Sequence, residues 1–374
     1  MTRTLILGAG FGGIAAATEL RRRGDDSDEV ILVDRAPDFS MGLRKLWDVF
    51  GLGTIAEGSR PRSVLATHGI DFRRGNVDAI DPHARAATVD GERIEADFLV
   101  IALGARPRPD LVPGLAEHGH DVWNPAEVPA TRAALERFDG GRIAIVIAGG
   151  PYACPPAPFE CAMLLDEWLR ERGLRGRTDL TITTFQPVLL PNAGKAGSAW
   201  LGEQLDQRSI GHRTGRAVEH VAARDVVYED GAEPFDLMIG VPPHRPPHVV
   251  EGGFMTVDPG TLETASEGVY AVGDVTQIKL SNGLPLPKAG VIAEAEGVRV
   301  ARAIAARAGG GAEPPPFDGR GHCFIELGHS VATMVDGDFF ADPEPRVVVR
   351  EPSAETADAK RRFEAERLER WFGR

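Results

Sequence analysis

Short apolar runs recur along the chain, most closed by glycine and several followed by a stretch with helical spacing. Thr4–Leu7 reads as a strand, Ile14–Arg23 as a helix, and Val30–Val33 as a second strand ending on Asp34. Leu99–Ala105, approached from Arg93, is apolar enough for a buried strand, and Ile143–Ala148 repeats the pattern. Thr131–Phe138, Phe159–Arg170, Gly197–Arg208 and the long Val291–Arg307 predict helices; Thr178–Phe185, Asp225–Tyr228 and Phe235–Gly240 predict strands. Apolar strands alternating with helices are the pattern of an α/β protein built on parallel sheets. Val241–Pro247 carries too many prolines for either element and reads as a crossover, with His244 a loop histidine. Beyond a Gly/Pro linker, Gly309–Pro316, the chain predicts a hairpin (His322–Gly328, Ser330–Val335), a strand (Val347–Val349) and a tail helix, Ala354–Arg374. Ala357, Leu368, Trp371 and Phe372 form one stripe on that helix. The stripe suits packing on the protein itself or on a partner; a membrane surface is the alternative, against which the helix's balanced charges argue.

The glycines add chemistry to this pattern. Gly8, Gly10 and Gly13 stand in G-x-G-x-x-G spacing (Gly8-Ala9-Gly10-Phe11-Gly12-Gly13) between the first strand and the first helix. Asp34, followed by Arg35, ends the next strand at about 20 positions beyond, where an acid accepts from a ribose hydroxyl. With the helix N-terminus aimed at phosphate, this is a dinucleotide site. Arg142–Gly150 repeats the opening strand-and-glycine pattern, which makes two Rossmann-like units. The second turn continues as Pro151, Cys154, Pro155, Pro156 and Pro158. Proline has no N–H to offer a phosphate, so this turn reads as rebuilt for thiol chemistry, and a nicotinamide cofactor is disfavoured.

Composition narrows the classes. A formal net charge of −13 over 374 residues argues against nucleic-acid binding. No apolar run approaches the roughly 18 residues of a membrane span, and Met1–Arg3 leads straight into a strand without an apolar leader. The expectation is a cytoplasmic protein, soluble or peripheral on the inner membrane face, with homodimerisation open. Three cysteines are no disulfide framework; a bridge between two of them would be catalytic or redox-sensing. Cys161 reads as a buried thiol. No His/Cys/Asp/Glu spacing suits a metal, so none is expected.

Several segments together carry a resemblance. Ala102-Leu103-Gly104-Ala105, Gly268–Val275 (G-V-Y-A-V-G-D-V) and the fingerprint resemble the two-dinucleotide-domain flavoproteins of the disulfide-reductase type. Cys154–Glu160 (C-P-P-A-P-F-E), His322-Cys323-Phe324, V-P-P-H at the crossover, P-K-A-G at 287–290 and Lys360–Glu364 make the chain similar to the flavocytochrome c sulfide dehydrogenase / sulfide:quinone oxidoreductase family over nearly its whole length. The resemblance implies an α/β fold with two Rossmann-like, three-layer domains and a small C-terminal α+β segment. Residues 1–110 and 246–312 would form an FAD-binding domain, 111–245 a degenerate NAD-type domain, and 313–374 a segment capping the flavin.

It also implies FAD, bound by Gly8, Gly10, Phe11, Gly12, Gly13, Asp34 and Arg35, with Ala102 and Gly104 nearby, Gly273 and Asp274 at the ribityl chain, and Lys288 and Ala289 beneath the isoalloxazine. Cys154 would accept sulfur and Cys323 lie nearer flavin C4a, the two forming a redox-active disulfide. Glu160, in the first turn of a helix, fits either a proton acceptor or plain dipole compensation; Lys288 fits either a donor to the flavin or a solvated lysine. No cysteine stands near Asp38–Arg44, so FAD would be non-covalent. The third catalytic cysteine of quinone-reducing members is absent from Ala105–Arg142, which leaves the acceptor open. The expected activity is oxidation of sulfide or a related thiol with electrons passed to a quinone; the alternatives are an NAD(P)H-dependent quinone or disulfide reductase, or a non-catalytic flavin-bound redox sensor.

Overall fold

The computed structural model describes residues 1–309 and 311–373. Gly310, in the expected linker, and Arg374, at the end of the expected tail helix, lie outside the described residues. Two parallel sheets dominate. The first runs Val269–Ala271, Phe98–Ile101, Arg3–Leu7, Glu29–Asp34, Asp71–Arg74, and every pair in it is parallel. The second runs Gly211–Arg213, Thr178–Thr184, Gly141–Ile147, Leu237–Val241, again all parallel. In each sheet the strand bearing the glycine turn lies inside the sheet, buried by neighbours on both sides. Its uninterrupted apolar run follows from that position.

Glycine sets how tightly the first unit closes. Gly8 has φ +100°, and a Cβ there would stand 2.3 Å from the Ala102 carbonyl oxygen. The first helix, Phe11–Arg23, crosses the long helix Gly290–Gly309 so closely that a Cβ on Gly297 would meet the Gly12 carbonyl oxygen at 2.2 Å. Only residues without a Cβ permit either approach.

Beyond the sheets, Arg320–Gly328, Val331–Asp338 and Arg346–Val349 form an antiparallel three-stranded sheet. Its first strand straddles two cores: Cys323 packs against the first sheet's core, and Ile325 and Leu327 belong to the second's. The tail helix Ala354–Phe372 is capped by the Ser353 hydroxyl, which accepts from the Thr356 amide at 3.1 Å. It packs inward. Trp371 stands edge-on to Phe11 (5.4 Å between centroids) and Phe39 (5.7 Å). Lys360 and Glu364 share the buried face with the expected Ala357, Leu368, Trp371 and Phe372, filling the gap that the apolar residues leave between 357 and 368. No helix among the described residues is long and apolar enough to cross a membrane.

Three expectations need correction. The strand expected over Leu99–Ala105 stops at Ile101, ahead of Gly104, whose left-handed backbone at φ +66° no strand can continue through. The crossover does form an element: His244–Arg245 pairs antiparallel with Arg106–Pro107. His244 is buried rather than a loop histidine, its Nδ1 3.0 Å from the Pro242 carbonyl. The helix Arg44–Phe50 had no counterpart in the sequence reading; its buried Leu46, Trp47, Val49 and Phe50 span too few turns for a clear period.

Replacing the fully buried Trp371 tests whether the tail is integral to the core. Trp371→Ala is expected to lower stability by about 3–5 kcal/mol, read by denaturant titration.

Candidate active site

The first glycine turn opens onto a cavity of 700 Å³ lined by Gly8, Gly10, Asp34, Arg35, Ala102 and Gly104, together with Arg62 and Arg106. Nothing lies within 4 Å of the point where a Gly10 Cβ would stand, which leaves backbone N–H groups at the helix start open to a phosphate. Asp34 Oδ2 accepts from the Ala9 amide and Oδ1 from the Ala36 amide, both at 2.8 Å. Each oxygen keeps a lone pair for a ribose hydroxyl. Desolvation lowers the pKa of Arg106, and the like charge of Arg35 lowers it further; an anion between them relieves both. These residues fit the ADP half of FAD. The Phe11 ring turns away from this cavity and packs among Phe39, Phe363 and Trp371, and a Cβ on Gly13 would stand 1.8 Å from the Gly8 carbonyl oxygen. What these residues can offer a phosphate is therefore their backbone N–H groups at the start of the helix. Arg62, absent from the sequence reading, holds the turn by donating Nε and Nη2 to the Ala9 carbonyl at 3.0 and 2.8 Å.

The second turn is no cradle. Where Gly8–Gly10 alone separate strand from helix in the first unit, the second strand ends at Ile147 and its helix, Ala157–Glu171, starts only after Pro156. The intervening loop carries Cys154 to the first sheet's side, where the Cys154 amide donates to the Lys288 carbonyl at 2.7 Å. Cys154 sits at φ +55°, a conformation that costs of order 1–3 kcal/mol in a non-glycine residue and points to a functional constraint.

A second cavity, of 240 Å³, collects Cys154, Glu160, Asp274, Lys288, Ala289, Cys323, Lys45 and Lys360. Both cysteines are free thiols, Cys154 exposed and Cys323 half-buried, while Cys161 is fully buried. Although Cys154 reaches the surface, the dense protein around it desolvates the thiol and pushes it up to about 11; Glu160 adds to this, and Lys360 and Lys45 oppose it. The same desolvation raises Cys323 and Cys161.

Lys288 is buried, not solvated. Its Nζ donates to the Asp274 and Thr276 carbonyls at 2.8 Å each, and burial brings its pKa down to about 8. Gly273, at φ +75°, gives its amide to Glu296 Oε2 at 2.5 Å. Burial pushes the Glu296 carboxyl up to about 8, with the Gly273 N–H opposing. Desolvation also raises Asp274, against Lys288 and Lys45.

Glu160 is half of a closed ring. Its Oε1 accepts from Lys360 Nζ at 2.7 Å and its Oε2 from the Glu326 amide at 3.0 Å. Lys360 Nζ also donates to Glu326 Oε2 at 3.1 Å, where Trp47 Nε1 arrives at 2.8 Å. Desolvation works against the Lys360 ammonium, but the two carboxylates overcome it and hold its pKa above the ordinary value. Glu160 moves up, chiefly by desolvation and in part by the Glu326 charge.

The sequence reading missed Lys45, Glu326 and Lys360 as site residues. For Lys360 a signal existed: a lysine at the helical spacing of a buried stripe. Lys45, whose Nζ donates to the Trp123 carbonyl at 2.7 Å, had none. Among the described residues no group of three or more His, Cys, Asp or Glu is placed to hold a metal ion.

Two outcomes follow from this geometry. Gly13→Ala, forced against the Gly8 carbonyl, should weaken FAD retention by at least about tenfold, read from bound flavin absorbance after gel filtration. Glu296 has a folded pKa of about 8, above the roughly 4.3 of an unfolded chain. The folded state therefore holds the extra proton, and stability present below the lower value is lost as pH rises through the higher. Glu296→Gln should remove that loss, so its melting temperature should gain on wild type from about pH 4.3 to about 8.

The likenesses to known proteins agree with this frame. The sulfide-quinone reductase of Aquifex aeolicus is 27% identical over 336 residues, covering 80% of this chain and 75% of that protein. The mitochondrial sulfide:quinone oxidoreductase of Mus musculus is 23% identical over 365 residues, 91% of this chain and 78% of the other. The solved structure of the Aquifex aeolicus sulfide:quinone oxidoreductase superimposes with a TM-score of 0.91 at 23% identity, covering 100% of this chain and 92% of that one, which establishes the fold. Residues 2–297 match the family described as pyridine nucleotide-disulphide oxidoreductase. The chain belongs to that family and is an FAD-binding oxidoreductase.

Proposed function

We propose that this chain oxidises sulfide, or a related small thiol, through a Cys154–Cys323 disulfide and passes the electrons to a quinone. The observation that carries the reading is that Cys154 and Cys323 line one cavity with Asp274, Lys288 and Ala289, although 168 residues lie between them in the sequence. The names of the relatives support sulfide as donor and quinone as acceptor. Gly8, Gly10, Asp34 and Arg35 would hold the ADP half of a non-covalent FAD, and Asp274, Lys288 and Ala289 its ring end; FAD would supply the two-electron acceptor. Non-covalent attachment is favoured because Cys154 and Cys323 are taken up by the bridge and Cys161 is buried.

In the oxidised state the two sulfurs are joined. Hydrosulfide attacks Cys154, the S–S bond breaks, and the electron pair leaves on Cys323 as thiolate while Cys154 becomes a persulfide. Acidity alone favours departure of Cys154, whose thiol is the less elevated of the two. Access decides the other way, since Cys154 is exposed and Cys323 half-buried. A second hydrosulfide attacks the outer sulfur, releasing disulfane and the Cys154 thiolate. Re-forming the S–S bond from the Cys154 and Cys323 thiolates releases two electrons, which FAD would accept and the quinone would finally carry away. Lys45 and Lys360 stabilise thiolate charge at Cys154. Glu160 is the proton acceptor in this scheme, poised by Lys360 on one oxygen. The Lys288 Nζ keeps a third donor beyond the two carbonyls it serves and would place positive charge where the reduced ring becomes anionic.

Anaerobic addition of sulfide should bleach the flavin, and a short-chain quinone should restore it. Cys154→Ser should slow bleaching at least about 10³-fold, or about 4 kcal/mol, while NADH should bleach neither protein. Flavin that stays oxidised with sulfide, or a Cys154→Ser variant as fast as wild type, would sink the reading.

A further inference from the structure

The elements that carry the two cysteines are tied together by a residue from neither. Glu160 follows Cys154 into the first turn of the helix Ala157–Glu171. Glu326 lies in the same strand as Cys323, Arg320–Gly328. Lys360, from the tail helix, bonds both carboxylates, at 2.7 and 3.1 Å, and the Glu326 amide returns to Glu160 at 3.0 Å. All three side chains are buried, Lys360 to 3% exposure, so the ring exchanges few of its bonds with water. A second anchor keeps the tail in place from outside: Arg44 donates Nε to Glu364 at 2.8 Å, one turn beyond Lys360.

We propose that Lys360 is a positioning residue that sets the effective concentration of Cys154 relative to Cys323, and hence how readily the pair bridges. The inference deepens the redox-disulfide reading and rests on it. Closing the bridge takes two electrons and two protons from the two thiols, and the sulfurs must meet over an S–S bond of about 2.05 Å. A neutral side chain at 360 leaves two carboxylates facing each other across the helix–strand joint. Their repulsion separates the cysteine-bearing elements and disfavours closure. The Glu326 amide bond to Glu160 is then the one bond of the ring left to oppose separation.

The experiment equilibrates the FAD-loaded protein in glutathione buffers, where each glutathione disulfide accepts the two electrons and becomes two glutathiones. Free thiols are then counted after acid quench and alkylation. Wild type should pass from three free thiols to one. Lys360→Met should bridge with an equilibrium constant at least tenfold lower, a shift of about 30 mV, and Lys360→Arg should recover most of the loss. Glu326→Gln, which keeps the shape and removes one charge, serves if Lys360→Met does not fold. With the repulsion gone it should bridge within threefold of wild type, and the double variant Glu326→Gln/Lys360→Met should lose less than the single Lys360→Met. Lys360→Met bridging as readily as wild type overturns the inference and leaves the disulfide reading standing. Double-variant loss as large as the Lys360→Met loss in wild type overturns it also. Wild type that keeps three thiols in every buffer overturns the disulfide reading itself and this inference with it.

Discussion

The two halves of the site meet at a backbone hydrogen bond on the cavity wall: the Cys154 amide donates to the Lys288 carbonyl at 2.7 Å. Cys154 belongs to the loop after the second sheet's strand, and Lys288 to the segment that precedes the long helix of the first unit. A tight glycine turn could not reach. The turn that holds phosphate in the first unit needs only Gly8–Gly10, and its helix starts at once. Extending the second turn to Pro156 carries a thiol out of its own sheet and onto the cavity wall of the other. The extension and the left-handed backbone of Cys154 have one consequence, a cysteine fixed at the cavity rather than swinging on a loose loop.

Around that point the protein collects charge in a place where charge is costly. Lys45, Lys288 and Lys360 line the cavity with Glu160 and Asp274, while Glu296 and Glu326 stand buried behind it. Isolated, each ion would carry a desolvation penalty of several kcal/mol. Pairing reduces it unequally. Lys360, between two carboxylates, is held charged; Lys288, hydrogen-bonded to backbone carbonyls alone, is brought down to about 8 by desolvation that the charges of Asp274 and Glu296 do not offset. Glu296, facing an amide, is pushed up to about 8. The cavity therefore pairs one firmly cationic group with groups that titrate near neutrality, an arrangement suited to moving protons as well as electrons.

How much of this was legible in the sequence depended on whether the constraint was local. Gly8, Gly10, Gly13 and Asp34 were readable because a strand, a turn and a helix N-terminus impose their chemistry within one short segment. The proline-filled second turn was readable for the same reason, since each proline removes a donor wherever the chain goes. His244 was misjudged because its burial comes from pairing with Arg106–Pro107, a contact across the chain. Lys360 and Glu326 escaped because a buried ion pair is written in two places at once. A lysine in an otherwise apolar stripe looks like an error in the period until its carboxylates are found.

The tail helix shows what that kind of residue does to architecture. An apolar stripe would fasten the helix by Ala357, Leu368, Trp371 and Phe372, through contacts that tolerate sliding by a fraction of a turn. Lys360 and Glu364 remove that freedom, because each must meet a specific partner: Lys360 the two glutamates, Glu364 the Arg44 guanidinium with Nε at 2.8 Å. Apolar residues at 160, 326 and 360 together could give equal or greater stability, since replacing a whole set of buried ions by apolar side chains is often neutral or favourable, whereas removing Lys360 alone strands two carboxylates. What they could not give is register between three elements of distant sequence. The ion pairs are best understood as alignment, and what they align is the cavity wall that carries the two cysteines.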